Sequence, residues 1–223
     1  MKIEILTLAS ANLALQQSFY ESLIGFQVRH SNSEELMIEA GETKLVFRAT
    51  KYKPLYHFAF LIPTGSLESA IDLIESKGIK LLPLKGEKII HFDSGRAIYF
   101  YDPEGNIAEF IERPKIDYPK KKSFAVSDVI RINEIGHPVI NPLEESAKLL
   151  AEDGPGIIPI NPSAFRSNFC WIGDHEGAII VVETGRHWLP TQLPAEFNDF
   201  DLTYNESGHS KTLSFKAGSF KEI

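Results

Sequence analysis

The hairpin Phe100-Tyr101-Asp102-Pro103-Glu104-Gly105-Asn106-Ile107 recurs as Ile172-Gly173-Asp174-His175-Glu176-Gly177-Ala178-Ile179. A weaker version stands earlier, at Met37-Ile38-Glu39-Ala40-Gly41-Glu42-Thr43-Lys44. In the strongest copy proline presets φ and glycine is free to take φ > 0, so strand residues flank turn chemistry. A closing hairpin that recurs marks a repeated unit, and the residues upstream of each copy define it. Residues 2–9 alternate as a strand, and Leu15, Phe19 and Leu23 then fall at helical spacing before Gly25. Strands follow over 26–30, 36–39 and 44–50, giving the order βαβββ. The order repeats: a strand over 55–62, a helix stripe of Leu67, Ala70, Ile71 and Ile74 stopped at Gly78, and strands over 88–92, 97–101 and 107–112. A third copy opens with a strand over 129–135. Asn141-Pro142-Leu143-Glu144 then starts a helix, with an N-cap, proline at N1 and glutamate at N3.

The expected fold class is therefore α+β, with repeated βαβββ modules. A half-buried sheet with one helix cannot close a core alone, so modules must pair. Modules over 1–52 and 53–116 are expected to pair in one compact unit, with 117–123 a linker and 124–223 a third βαβββ-like module. Two alternating runs, 200–204 and 211–215, surround Asn205-Glu206-Ser207-Gly208 and read as a C-terminal hairpin over the third module's open edge. The third module, left over from the first pairing, is expected to pack on its counterpart in a two-fold homodimer or back on modules one and two, in a structural or lid role.

The 223 residues carry a formal charge of −7, which disfavours nucleic acid and anionic membranes as partners, since both reward clustered Lys and Arg. Lys120-Lys121-Lys122 is the one basic cluster, and its place after Pro114 and Pro119 reads as a solvated linker. A single cysteine, Cys170, excludes an internal disulfide and suits a reducing compartment; beside Trp171 in a strand it reads as a small core hydrophobe. No apolar run approaches a signal h-region or a membrane span, so the expected address is the cytoplasm.

Alternation along the last strand of module two places Ile107, Glu109 and Ile111 on one face. A carboxylate between two isoleucines is costly unless paired, protonated or metal-bound, so Glu109 is a site candidate.

Three segments carry a family resemblance. Phe19-Tyr20-Glu21-Ser22-Leu23-Ile24-Gly25-Phe26 resembles the F-Y-x-x-x-L-G-F helix end of the vicinal oxygen chelate superfamily, the glyoxalase, bleomycin-resistance and extradiol-dioxygenase group. His57-Phe58-Ala59-Phe60 resembles that family's second-module opening strand, and Asp102-Pro103-Glu104-Gly105-Asn106 with Glu109-Phe110 its closing hairpin. The resemblance covers residues 1–114 and fades over 124–223. It implies a glyoxalase/bleomycin resistance/dioxygenase-like fold, in which the modules over 1–52 and 53–116 form cupped mixed sheets around a site and metal ligands come from the first and last strands of each module. His57 and Glu109 match two such positions. Ile5 and Leu45 fall on the other two and cannot ligate. In the third module Val181 aligns with Glu109, and Glu134 falls near the position of His57, leaving no evident ligand pair there.

The resemblance implies one divalent metal ion (Fe, Mn, Ni or Zn) on His57 and Glu109, in a small-molecule metalloenzyme acting on an oxygen-chelating substrate, of lyase/isomerase or ring-cleaving dioxygenase type. The alternative, favoured by Ile5 and Leu45, is a metal-free small-molecule-binding or drug-sequestering protein. His91, before Asp93-Ser94-Gly95, and Tyr101, at a strand end, are the proton-transfer candidates; a solvated hairpin histidine and a packing aromatic are the plainer readings. Arg96 is a candidate clamp for a substrate carboxylate and Phe60 a candidate for the apolar lining; a surface arginine beside a turn is equally ordinary. His137, His175 and His187 stand in loop-like settings and are expected in solvent.

Overall fold

Two of the helices begin at a local asparagine cap. Asn12 accepts a hydrogen bond from the Leu15 backbone N–H at 3.0 Å and caps α1 (Leu13–Gln17), which runs on as a π-helical turn, Ser18–Ile24. α2 (Leu67–Ser76) buries the expected Leu67, Ala70 and Ile74. α3 (Pro142–Leu150) has Asn141 as its cap, accepting from Glu144 N–H, and proline in its first turn. This computed structural model describes residues 1–151, 154–157 and 165–223.

Module one supplies β1 (Lys2–Ser10), β2 (Gln27–Ser31), β3 (Glu35–Ala40) and β4 (Thr43–Ala49). Module two supplies β5 (His57–Ile62), β6 (Ile90–Phe92), β7 (Gly95–Tyr101) and β8 (Ile107–Glu112). Module three supplies β9 (Arg131–Val139), β10 (Phe169–Asp174) and β11 (Gly177–Glu183); the stretch between α3 and β10, where the repeat calls for one more strand, includes residues outside those described. The chain closes with β12 (Phe200–Glu206), β13 (His209–Lys216) and β14 (Ser219–Glu222).

Among the described residues these strands form two seven-stranded mixed sheets, ordered β14-β13-β12-β1-β4-β3-β2 and β10-β11-β9-β5-β8-β7-β6. The pairing of modules differs from the expected one. Module two shares its sheet with module three, through antiparallel β5 and β9, and module one shares its sheet with the C-terminal strands, through antiparallel β1 and β12. The free edge of each opening strand carries unpaired N–H and C=O groups that need a partner. The C-terminal hairpin satisfies β1, not the edge of the third module, and β9 satisfies β5. Module three is thus covered within its own chain.

One face of each sheet turns inward on a core that also takes up the helices. Leu6, Leu8, Leu45 and Phe47 come from the first sheet and Phe58, Phe60, Phe100, Phe110 and Ile135 from the second. Tyr20 spans the two, with its ring stacked 5.5 Å from Phe47 and 6.4 Å from Phe60. Such pairs add roughly 0.5–1.5 kcal/mol each beyond area burial. Arg131, with no side-chain exposure, ties module one to module three by pairing with Glu42 and Glu176, while the Tyr118 hydroxyl accepts from it. The expected linker is therefore packed against the modules at Tyr118.

Candidate metal centre

The other face of the second sheet points away from this core, and there the strand register gathers three ligating side chains. Ala59 is paired with Glu109 of β8 on one side and Glu134 of β9 on the other, and His57 lies two residues earlier on the same face of β5. A methyl group at Ala59 leaves room for both carboxylates to converge. One donor atom from each of His57, Glu109 and Glu134 lies within 4.8 Å of the others, and all three residues are buried.

Hydrogen bonding fixes the imidazole. His57 Nδ1 lies 3.2 Å from the Ile107 carbonyl, to which only an N–H can donate, so the Nε2 lone pair faces Glu109 Oε2 at 3.4 Å. Burial pushes His57 down to about 4, so at neutral pH the ring carries no charge. Burial, and next the charge of Glu134, push Glu109 well above the carboxylate range, with Arg113 opposing them. No well-formed hydrogen bond reaches either carboxylate oxygen of Glu109, and the Tyr99 phenol beside it opposes the upward shift only weakly. The His57–Glu109 contact is accordingly no ion pair: two lone-pair donors face each other, an arrangement that calls for a proton or a cation between them.

Three further residues wall the centre. Glu134 is paired with Arg113, whose guanidinium lies 5.2 Å over the Trp171 ring. Tyr99, opposite Glu109 in the β7–β8 ladder, is kept in its phenol form by burial and by that carboxylate. Trp188 lies 5.2 Å from the His57 ring, filling the space that Gly136 leaves open. It belongs to segment 184–198, which with Leu193 and Ala195 lies across the cup.

Of the residues expected from sequence, the structure brings His57 and Glu109 together and moves others away. Ala97 and Ile90 face the centre, so Arg96 and His91 point to the opposite side by alternation. Arg96 there bridges Glu68 of α2 and Glu112, whose carboxylate also takes the N–H groups of Gly65 and Leu67 at the start of α2. His91 is exposed. Phe60 is a core residue, 5.1 Å from Phe26 and 5.6 Å from Phe110. Tyr101 shares the face of Tyr99 but is 37% exposed at the end of β7, so Tyr99 is the phenol beside Glu109.

Two aligned positions slip by one residue. Leu45 and Val181 face the core, and by register their outward counterparts are Val46, paired with Thr7, and Ile180, paired with Gly136. At Val181 the cause is turn length: Tyr101 pairs with Ile107 across an open loop, whereas Asp174 pairs directly with Gly177. At Leu45 the first hairpin's own alignment already carries Glu109 onto Val46. Neither replacement ligates a metal, and Ile5 lies on the outward face of β1, paired with Lys44. His187 is exposed as expected, but His175 is partly buried against Trp171 at 5.4 Å, and His137 is buried 4.6 Å from the Phe215 ring. β9 continues through Pro138, which carries His137 into the core. Cys170 is buried.

Glu134, Arg113 and Trp188 complete the centre. Glu134 already falls near the His57 position of its own module, and Arg113 continues the alternation of Glu109 and Ile111 by one step. Nothing local in the sequence marks Trp188, which arrives on an irregular segment.

No protein-family model matches the sequence, and no curated protein matches it. Solved structures do. A Bacillus subtilis protein described as a putative dioxygenase superposes with a TM-score of 0.61 at 14% identity, over 99% of this chain and 68% of that one. Lactoylglutathione lyase from Agrobacterium tumefaciens matches at TM-score 0.44 and 16% identity, over 49% of this chain and 92% of that one. A glyoxalase family protein from Enterococcus faecalis matches at 0.42 and 22%, over 50% and 97%. Among the described residues no helix is long and apolar enough to cross a membrane. The βαβββ repeat, the two curled mixed sheets and the whole-length superposition agree: the chain has the vicinal oxygen chelate fold.

Proposed function

We propose that this chain is a small-molecule metalloenzyme of the vicinal oxygen chelate superfamily, working in the cup of modules two and three. His57, Glu109 and Glu134 would hold one divalent ion, of Fe, Mn, Ni or Zn type, and the substrate would be an oxygen ligand of that ion. The observation that carries the reading is Glu109, a buried carboxylate that no well-formed hydrogen bond reaches, facing an imidazole lone pair at 3.4 Å. One nitrogen and two carboxylates form a donor set suited to these ions, and three protein ligands leave positions open for substrate. A bound ion would supply Lewis-acid stabilisation of an enediolate, or, if iron, a route to ring cleavage of a diol.

The chain's own residues supply the rest. Ile107 fixes the imidazole tautomer through its carbonyl, and the Tyr99 phenol beside Glu109 keeps its proton as a hydrogen-bond donor to a substrate oxygen. Trp188 and its segment exclude water from the centre.

Untagged protein should take up one equivalent of at least one ion when titrated with Zn, Mn, Ni or Fe(II), and Glu109→Gln should abolish the uptake without loss of fold. Uptake of none of the four, or unchanged uptake by the variant, overturns the proposal. The metal-free binding reading draws on the non-ligating Ile5 and Val46 and on the Arg113 cation already paired with Glu134. Ligand-induced thermal shifts that persist in chelator, with no turnover, would favour it.

A further inference from the structure

Arg113 is held from several sides and exposed on almost none, with a side-chain exposure of 3%. Its Nε donates to Asn133 Oδ1 at 3.1 Å, Nη1 to Ser94 Oγ and Nη2 to Glu134 Oε1, while its planar face lies over Trp171. Asn133 is fixed in turn, its amide donating to the His175 carbonyl at 2.8 Å. The guanidinium therefore cannot swing away from Glu134. Around the centre stand two carboxylates, one neutral imidazole and one permanent cation. One carboxylate is matched and the other is not.

We propose that Arg113 is the internal counter-ion of this centre: it holds Glu134 in the metal-free protein and sets how tightly the cup takes a divalent cation. The inference rests on the metal-binding reading for its second half only; its first half stands on the ion pair itself. A carboxylate offers two oxygens, so Glu134 can keep one on Arg113 and give the other to an ion. That ion then sits close to a fixed guanidinium in a poorly screened environment, and the repulsion weakens its binding. Arg113 acts through Glu134 and is a positioning residue.

The test compares wild type with Arg113→Lys, Arg113→Gln and the double variant Arg113→Gln/Glu134→Gln. Zn binding is measured by calorimetry with a competing chelator, and thermal melts are recorded in EDTA. Arg113→Gln should bind Zn about tenfold or more tightly than wild type, and Arg113→Lys should stay near wild type. In EDTA, Arg113→Gln should melt lower, because Glu134 is left buried without a partner, and adding Glu134→Gln should restore the melt. A single variant that fails to fold while the double variant folds supports the counter-ion role equally. Equal or weaker Zn binding by a folded Arg113→Gln overturns the control of affinity. A wild-type melt for Arg113→Gln, a double variant that is not restored, or failure of both to fold overturns the counter-ion role. If no variant takes up Zn, Mn, Ni or Fe(II), the metal-binding reading fails, and the EDTA melts still decide the counter-ion role.

Discussion

At the scale of single residues, carboxylates on the same hairpin diverge because their surroundings differ. Asp102 is buried yet accepts from Glu104 N, Asn106 N, Asn106 Nδ2, Gln16 Nε2 and Tyr20 Oη, whereas no well-formed hydrogen bond reaches Glu109. Burial still outweighs these bonds and raises Asp102 to about 6. The unfolded chain holds that carboxyl near 3.8, so between the two values the folded state keeps a proton that the unfolded state loses. Asp102 therefore contributes stability that is full below about pH 4 and lost as pH rises through about 6, amounting to about 3 kcal/mol. His57, pushed the other way to about 4, acts with the opposite sign over the same range and masks the effect in a single profile. It cancels in a difference. Urea melts of wild type and Asp102→Asn should show the wild-type advantage shrinking by about 3 kcal/mol between about pH 4 and about pH 7. A constant difference would refute the assignment. The costly placement of Glu109 is legible in the sequence, from parity alone. The comfort of Asp102 is not, since Gln16 and Tyr20 reach it from another module.

At the scale of elements, alternation is what sequence conveys well, and register is what it conveys badly. The helix stripes, the strands and the faces of Glu109 and Tyr99 follow from local spacing. The slip at Val181 arises because hairpins that look alike differ in turn length, and one residue of slip exchanges core for cup. The segment over the cup is illegible for another reason: it has no periodicity, and its place depends on a notch in β9. A Cβ on Gly136 would come within 2.5 Å of Trp188 Cη2 and 2.9 Å of Cζ2, so an alanine there cannot coexist with the present ring position. Gly136→Ala should cost about 1–3 kcal/mol and move the indole off His57. In a Trp171→Phe background, where Trp188 is the remaining tryptophan, its emission should shift to the red and become more open to acrylamide quenching. Emission unchanged from the background protein would mean that β9 yields instead of the indole.

At the scale of the molecule, the repeat predicts modules but not partners, because any module's opening strand offers the same antiparallel edge to any other. Chain order favours pairing modules one and two; the structure pairs one with the C-terminal strands and two with three. This choice also decides the chemistry, since Glu134 reaches His57 and Glu109 only when β9 lies against β5. The consequence bears on truncation. A fragment ending at Lys122 would keep β1 to β8 but strip β12 from β1 and β9 from β5, leaving two opening strands with bare edges. It would also remove Glu134 and both halves of the Arg131 tie to Glu176, and uncover Ile107, Ala59 and Tyr99 where Trp188 and Ala195 now pack. Bare edges beside uncovered apolar surface favour association over solution. The 1–122 fragment should therefore be poorly soluble or self-associated by gel filtration with light scattering, and should bind Zn more weakly than the full chain. Should it prove monomeric and bind metal as the full chain does, modules one and two would be a self-sufficient unit, and the centre would need neither Glu134 nor the sheet that carries it.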